Sequence, residues 1–316
     1  MSWKKIKAAT TLLIALYILF VIYSKIDLSS FQDIFRNIDY LWFWAGMSVF
    51  IVSALISSLR YVIILSVKAD ISLPSSLKLY LAGNSLNIAL PSKMGDLSKA
   101  VFLKKEGVVG YSEGFSSVIV EKILDVSALS FVMVAGLLFL PVNAFFTRDI
   151  KVLFLSVGSA FLAAPLIVYM LGAFKVSVLK RTLPKIDEYF IKFHDFLAGL
   201  KRKPRKLASV ILLSVLLWFF HVLQVFCFFK SFDGSADAVI SFALIPAAIF
   251  IGLIPIAFAG IGTRDKALIV LFGWYGYPDY LMAALGVMCT VRYIVPAVFG
   301  LPFVIKYMAK DKKLVK

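Results

Sequence analysis

The chain is poor in the residues that do most enzymatic chemistry. It has two cysteines, two histidines and 18 acidic residues among 316. Cys227 and Cys289 both lie inside apolar runs and have no metal-ligand spacing, so we read them as small packing residues. There is no phosphate-binding glycine loop, no HExxH, no GxSxG and no Cys/His cluster. The sequence thus predicts no metal and no cofactor.

Charge is scarce too, at 16% of residues, while 61% are hydrophobic. Soluble domains average about 45–50% apolar. Several runs exceed the roughly 18 apolar residues that cross about 30 Å of hydrocarbon. The fold class expected is an all-α polytopic membrane protein. The net charge of +16 suits cytoplasmic loops and an anionic inner leaflet, not nucleic acid.

Six full spans are expected, near 6–24, 41–66, 117–140, 151–173, 207–230 and 280–305. We read the first as a retained span and not as a signal peptide, since a small-x-small cleavage site is missing. Lys4, Lys5 and Lys7 place the N-terminus in the cytoplasm. Residues 25–39, with two basic and three acidic groups, suit the outer side. Residues 174–206 hold ten basic and three acidic groups and must be inside. Their pattern "IDEYFIKFHDFLAGL" predicts an amphipathic connector helix at the interface. The basic C-terminal tail is also expected inside. Trp3, Trp42, Trp44 and Trp274 are candidate interface anchors.

Two apolar stretches are interrupted. Gly83, Pro91 and Gly95 break 76–104, and Pro246, Pro255, Gly260 and Gly262 break 238–276. Loop parity makes the first a hairpin entering from inside. The second is either a hairpin from outside or two short spans, and we favour the hairpin. "GDLSKAVFL" (95–103) and "GTRDKALIVL" (262–271) align at Gly95/Gly262, Lys99/Lys266 and Ala100/Ala267. The flanking spans run in opposite senses. Residues 41–140 and 207–305 would then form an inverted repeat, whose two broken helices meet near mid-membrane. Irregular backbone survives at that depth only within protein or beside water.

Ionisable residues concentrate around these breaks: Arg60, Lys93, Asp96, Lys99, Glu121, Lys122, Asp125, Arg264, Asp265, Lys266 and Arg292. Each costs about 2.5–3.5 kcal/mol near the bilayer centre, so they are paired or face water. Glu121 and Asp125 share one helical face. They serve either as salt-bridge partners of Lys99 or Arg292, or as counter-charges in a hydrophilic cavity. Asp96 and Thr263 are placed to cap half-helices. Asn84 and Asn87 share a face beside the first break, where they satisfy loose carbonyls or touch a ligand. His221 and Gln224 are suited to one interhelical hydrogen bond or to lining the cavity.

Three ordered motifs resemble the membrane domain of lysylphosphatidylglycerol synthases and their stand-alone, flippase-like relatives. The first carries Pro91, Lys93, Gly95, Asp96 and Lys99. The second carries Glu121, Lys122 and Asp125, and the third Gly260, Gly262, Arg264 and Asp265. Lysine stands at 93, 99 and 122 where that family more usually has arginine, which keeps charge but loses the bidentate fork. The resemblance implies movement of a polar-headed lipid between leaflets of the cytoplasmic membrane, without enzymatic activity, since a soluble aminoacyl-transfer domain is missing. Membrane lipids are the implied partners, with glycolipid or cell-envelope synthesis enzymes as further candidates. The alternative is an integral-membrane glycosyltransferase or its accessory subunit. An ion-coupled carrier of small solutes is a third reading and predicts a cavity closed to lipid.

Overall fold

The computed structural model describes residues 28–165, 184–253 and 262–309. The expected span at 6–24, the end of the span at 151–173, Pro255, Gly260 and the basic tail lie outside the described residues. All regular structure among the described residues is helical. In chain order the helices are α1 (Leu28–Arg36), α2 (Tyr40–Leu65), α3 (Leu73–Ala89), a 3-10 helix (Pro91–Leu97), α4 (Ser98–Lys105), α5 (Tyr111–Phe139), α6 (Arg148–Leu162), α7 (Pro184–Lys201), α8 (Pro204–Phe232), α9 (Ala238–Gly252), α10 (Thr263–Gly273) and α11 (Asp279–Ala309).

Four of these, α2, α5, α8 and α11, are 26, 29, 29 and 31 residues long and strongly apolar. At 1.5 Å per residue they measure about 39–47 Å, ample for a bilayer core. Their outward faces carry Ile51, Leu55 and Leu59 on α2, and Val298, Phe299 and Ile305 on α11, all exposed. Such continuous apolar surface is ordinary against lipid and costly in water. The chain is a multi-pass membrane protein.

Polar residues start the helices where the sequence allows. Asp39 caps α2 by accepting from the Leu41 and Trp42 amides (2.9 and 3.4 Å). Asp237 caps α9 by accepting from Ile240 N–H (2.8 Å). Pro204 opens α8, where a missing amide hydrogen is harmless.

The long helices α2 and α8 lie antiparallel. Asp39 N–H donates to Ser231 O at one end (2.9 Å), and Lys206 Nζ donates to Ser66 Oγ at the other (2.7 Å). Each interrupted stretch packs on a long helix from the other half of the chain. In the first, α3 lies along α11, with Ser85 Oγ donating to Ala297 O (2.5 Å). In the second, α9 lies along α5, where Gly136 faces the backbone of Phe242 and Ala243.

The two stretches enter from opposite ends of the bundle. The first is anchored where the Phe102 and Tyr307 rings stack (4.3 Å) and Lys105 Nζ donates to Tyr307 O (3.4 Å). The second is anchored at the far end, where Asn143 Nδ2 donates to Trp274 O (2.9 Å) and Tyr275 Oη to Pro141 O (2.6 Å).

The first stretch folds back on itself. Leu90 is extended (φ −110°, ψ 138°), and the chain then turns through the 3-10 helix into α4. A Cβ at Gly95 would lie 2.3 Å from Asn87 N and 2.6 Å from Gly83 O, so the turn presses directly on the α3 backbone. In the second stretch, Gly262 has φ +92°, a conformation that side chains other than hydrogen resist.

Four expectations need correction. Residues 25–39 are not simply a loop, because Leu28–Arg36 is helical and Phe35 packs edge-on against Phe232 (5.3 Å). Helix α5 begins at Tyr111, six residues before the expected 117, since Ser112, Glu113 and Gly114 disguise its first turn. Gly83 and Pro246 break neither helix, since they lie within α3 and α9. The caps also differ: α10 is capped at Gly262, whose N–H donates to Asp265 Oδ2 (3.0 Å), and α4 has Leu97 at its cap position, leaving Asp96 for ion pairs. The connector helix α7 is present, and its buried Phe196 and Leu200 pack on Ile64, Val120, Leu124 and Val210.

Candidate functional site

Ser53, Ser57 and Arg60 fall at helical spacing on one buried face of α2. Arg60 reaches Glu121 and Asp125, one turn apart on α5. Between them, the turn of the first hairpin carries Asp96 and Lys99. The result is a closed ring of six alternating charges. Arg60 donates from Nη2 to Glu121 (3.1 Å) and from Nη1 to Asp125 (2.6 Å). Lys99 Nζ holds both oxygens of Glu121 (3.0 and 2.8 Å) and lies 3.8 Å from Asp96. Lys122 closes the ring, paired with Asp96 and, at 3.5 Å, with Asp125.

Three cations thus balance three carboxylates. Lys99 also sits 4.9 Å above the Tyr61 ring, and Arg60 Nη1 donates to Ser214 Oγ on α8 (3.0 Å). Arg60, Lys99 and Glu121 are at most 2% exposed. Removing one member of such a buried pair costs about 3–5 kcal/mol, because its partner is left charged and dry. The ring therefore fixes α2, the first hairpin and α5 to one another.

The ring forms one wall of a cavity of about 100 Å³. Asn84 and Asn87 of α3, Trp218, His221 and Gln224 of α8, and Arg292 and Tyr293 of α11 form the rest. Lys122, with 40% of its side chain exposed, and Ile88, 47% exposed, lie toward the outside of this lining.

Arg292 differs from every other cation here. It is 4% exposed, yet it makes no ion pair among the described residues. Its Nη1 donates to His221 O (3.1 Å) and Gln224 Oε1 (3.5 Å), and its Nη2 to Tyr293 Oη (2.8 Å). The guanidinium also packs over the Tyr293 ring (4.7 Å). Arginine is a permanent cation, so the described lining carries a net positive charge. An uncompensated buried charge costs several kcal/mol. A ligand or solvent in the cavity relieves that cost.

Most of the expected site residues meet here. Arg60, Asn84, Asn87, Asp96, Lys99, Glu121, Lys122, Asp125 and Arg292 all line the cavity. The Lys93 side chain falls outside the described set, while its backbone belongs to the turn that Pro91 opens. Gly95 supports the turn without lining the cavity.

The residues from the second break do not join them. Arg264 and Asp265 are buried and pair with each other (2.6 Å). Arg264 Nη2 also donates to Gly286 O (3.0 Å) and Thr290 Oγ1 (3.0 Å), and Nη1 to Cys289 O (3.4 Å), all on α11. This is a lock between α10 and α11. Lys266 is exposed on the outer side of α10.

Gln224 fills both roles expected of it: Nε2 donates to Gly46 O across the α2–α8 seam (3.1 Å), and Oε1 faces Arg292. Sequence reasoning missed Ser53, Ser57, Tyr80, Trp218 and Tyr293 on the lining. The i, i+4, i+7 series ending at Arg60 was the available signal for the two serines. Among the described residues, no three His, Cys, Asp or Glu side chains gather as a metal site.

The family profile described as Lysylphosphatidylglycerol synthase TM region matches residues 8–300. A UPF0104 membrane protein of Methanocaldococcus jannaschii is 22% identical, with 95% of each chain covered. Another from Pyrococcus horikoshii is 24% identical over 67% of this chain and 70% of its own. No solved structure gives a significant match.

Proposed function

Because the chain belongs to the lysylphosphatidylglycerol synthase transmembrane-region family, we propose that it carries a polar-headed, anionic lipid between the two leaflets. The headgroup enters the charged cavity while the acyl chains stay in the surrounding lipid. The single observation behind this reading is Arg292, a buried guanidinium without a carboxylate partner among the described residues, in a cavity walled by a charge-balanced ring.

In this reading the two interrupted stretches are re-entrant hairpins. Residues 41–140 and 207–305 act as inverted repeats, and rocking between them alternates access. The reciprocal packing of α3 on α11 and of α9 on α5 supports that symmetry. The end bearing Lys201, Arg202, Lys203, Arg205 and Lys206 faces the cytoplasm, as the bias of basic residues favours. Both termini then lie on that side, and the membrane is the cytoplasmic one. The protein acts as a carrier and not as an enzyme.

The test is a leaflet-accessibility assay. The purified chain is placed in proteoliposomes containing a headgroup-labelled anionic lipid, and a membrane-impermeant quencher reports the outer leaflet. Transfer above protein-free vesicles, lost in Lys99→Met and kept in Lys266→Gln, is the expected result. Transfer no faster than in empty vesicles, or unchanged in Lys99→Met, rules the reading out.

A further inference from the structure

Among the described residues, four cations line the cavity, Arg60, Lys99, Lys122 and Arg292, against three carboxylates, Asp96, Glu121 and Asp125. All three carboxylates are engaged by the first three cations. The surplus is one positive charge, and it is localised on Arg292.

The unpartnered polar atoms around it are mostly donors. Arg292 Nε, Arg60 Nε and Trp218 Nε1 carry hydrogens, and all lack a partner among the described residues. Ser53 Oγ is also unpartnered and can donate, while Asn87 Oδ1 is an acceptor on this lining without a partner among the described residues. These side chains come from α2, α3, α8 and α11, and Ser53, Arg60, Trp218 and Arg292 are each less than 9% exposed. An arginine and an indole N–H can only donate, so the complementary ligand brings acceptors. A phosphate oxyanion fits, because guanidinium forks match its oxygens.

We propose that this cavity selects a phosphodiester headgroup carrying one net negative charge, held at Arg292. The inference rests on the carrier reading for the source of that phosphate, and it adds a charge requirement that the reading does not contain. A zwitterionic headgroup would bring a cationic group that finds no uncommitted carboxylate. A doubly charged phosphate monoester would bring a second negative charge with no second uncompensated cation. The lipid origin follows from the exposed apolar residues Ile88, Leu90 and Met94 of the first interrupted stretch, of which Ile88 itself borders the cavity. Acyl chains can lie there while the phosphate reaches inward.

The experiment is native mass spectrometry of the full detergent-purified chain with phosphatidylglycerol, phosphatidylcholine or phosphatidic acid. Inorganic phosphate is added as a competitor in a parallel series. Wild type should hold phosphatidylglycerol at least about tenfold more tightly than either other lipid, a difference of about 1.4 kcal/mol. Arg292→Gln should abolish that preference. Arg292→Lys, which keeps charge but loses the fork, should keep the preference with weaker binding. Trp218→Phe removes one donor with little change of shape and should weaken phosphatidylglycerol severalfold, which keeps the test decisive if Arg292→Gln does not fold. Lys266→Gln should match wild type.

Equal retention of the three lipids overturns the proposal, as does an unchanged preference in both Arg292→Gln and Trp218→Phe. Displacement of phosphatidylglycerol by an equimolar amount of inorganic phosphate overturns the lipid origin. Failures of the two readings are distinguishable. Charge-selective binding without transfer between leaflets removes the carrier reading alone, and charge-indifferent transfer removes this one alone.

Discussion

The two interrupted helices use similar residues to opposite ends. The first, α3 to α4, turns its charges outward to partners on other helices. Asp96 and Lys99 reach Glu121 and Lys122 on α5, and through them Arg60 on α2. The second, α9 to α10, turns its charges on itself. Arg264 is satisfied by its neighbour Asp265 and by backbone and hydroxyl acceptors of α11. One arrangement leaves a polar wall facing a cavity; the other seals a seam. Repetition of a motif along a chain therefore does not imply repetition of its role, because the role depends on where the charged groups find partners.

The comparison breaks most severely at Glu121, which accepts from both Arg60 and Lys99. Glu121→Leu removes the carboxylate shared by two buried cations, leaving Arg60 with Asp125 and Lys99 with only its 3.8 Å contact to Asp96, and a loss of about 3–5 kcal/mol is expected. Thermal unfolding in detergent should show a large drop or no folded protein. A mild effect would mean that the ring is not dry.

Asp265→Ala removes the acceptor of Arg264 and the cap on Gly262. It should cost about 3 kcal/mol, again from an orphaned buried cation. Lipid transfer per folded molecule should stay close to wild type, and a specific loss of transfer would place the second interrupted stretch in the site after all. Gly95→Ala drives a methyl group into the α3 backbone, with an expected cost of about 1–3 kcal/mol and a reduced transfer rate, because the displaced turn carries Asp96 and Lys99. Lys266→Gln, on the exposed side of α10, should change stability by less than about 0.5 kcal/mol and leave transfer intact.

Much of this was legible in the sequence. The long apolar runs marked the long helices, and Pro91, Gly95 and Gly262 fall at interruptions, whereas Gly83 and Pro246 lie inside α3 and α9. The cost of charge in hydrocarbon marked Arg60, Lys99, Glu121, Asp125 and Arg292 as a group that must meet partners or water. What the sequence could not supply was the pairing. Arg60 lies 61 residues from Glu121 and 65 from Asp125, and only the packing of α2 on α5 decides that they touch while Arg292 stays without a carboxylate. Arg264 looked equivalent to the cavity cations for the same reason. Its acceptors are mostly groups of α11, and a backbone carbonyl leaves no mark in a residue pattern. Trp218 and Tyr293 were invisible because aromatic residues are common on every span of this chain, and nothing in the pattern separates a cavity lining from a lipid-facing surface.

The central claim is that the unpaired guanidinium on α11 holds the headgroup during transfer. It is tested most directly by the rate at which labelled phosphatidylglycerol changes leaflet in proteoliposomes containing equal amounts of folded wild type, Arg292→Gln and Asp265→Ala. The account predicts that Arg292→Gln slows transfer by at least about tenfold, equivalent to about 1.4 kcal/mol, while Asp265→Ala does not. Equal rates for wild type and Arg292→Gln would contradict it.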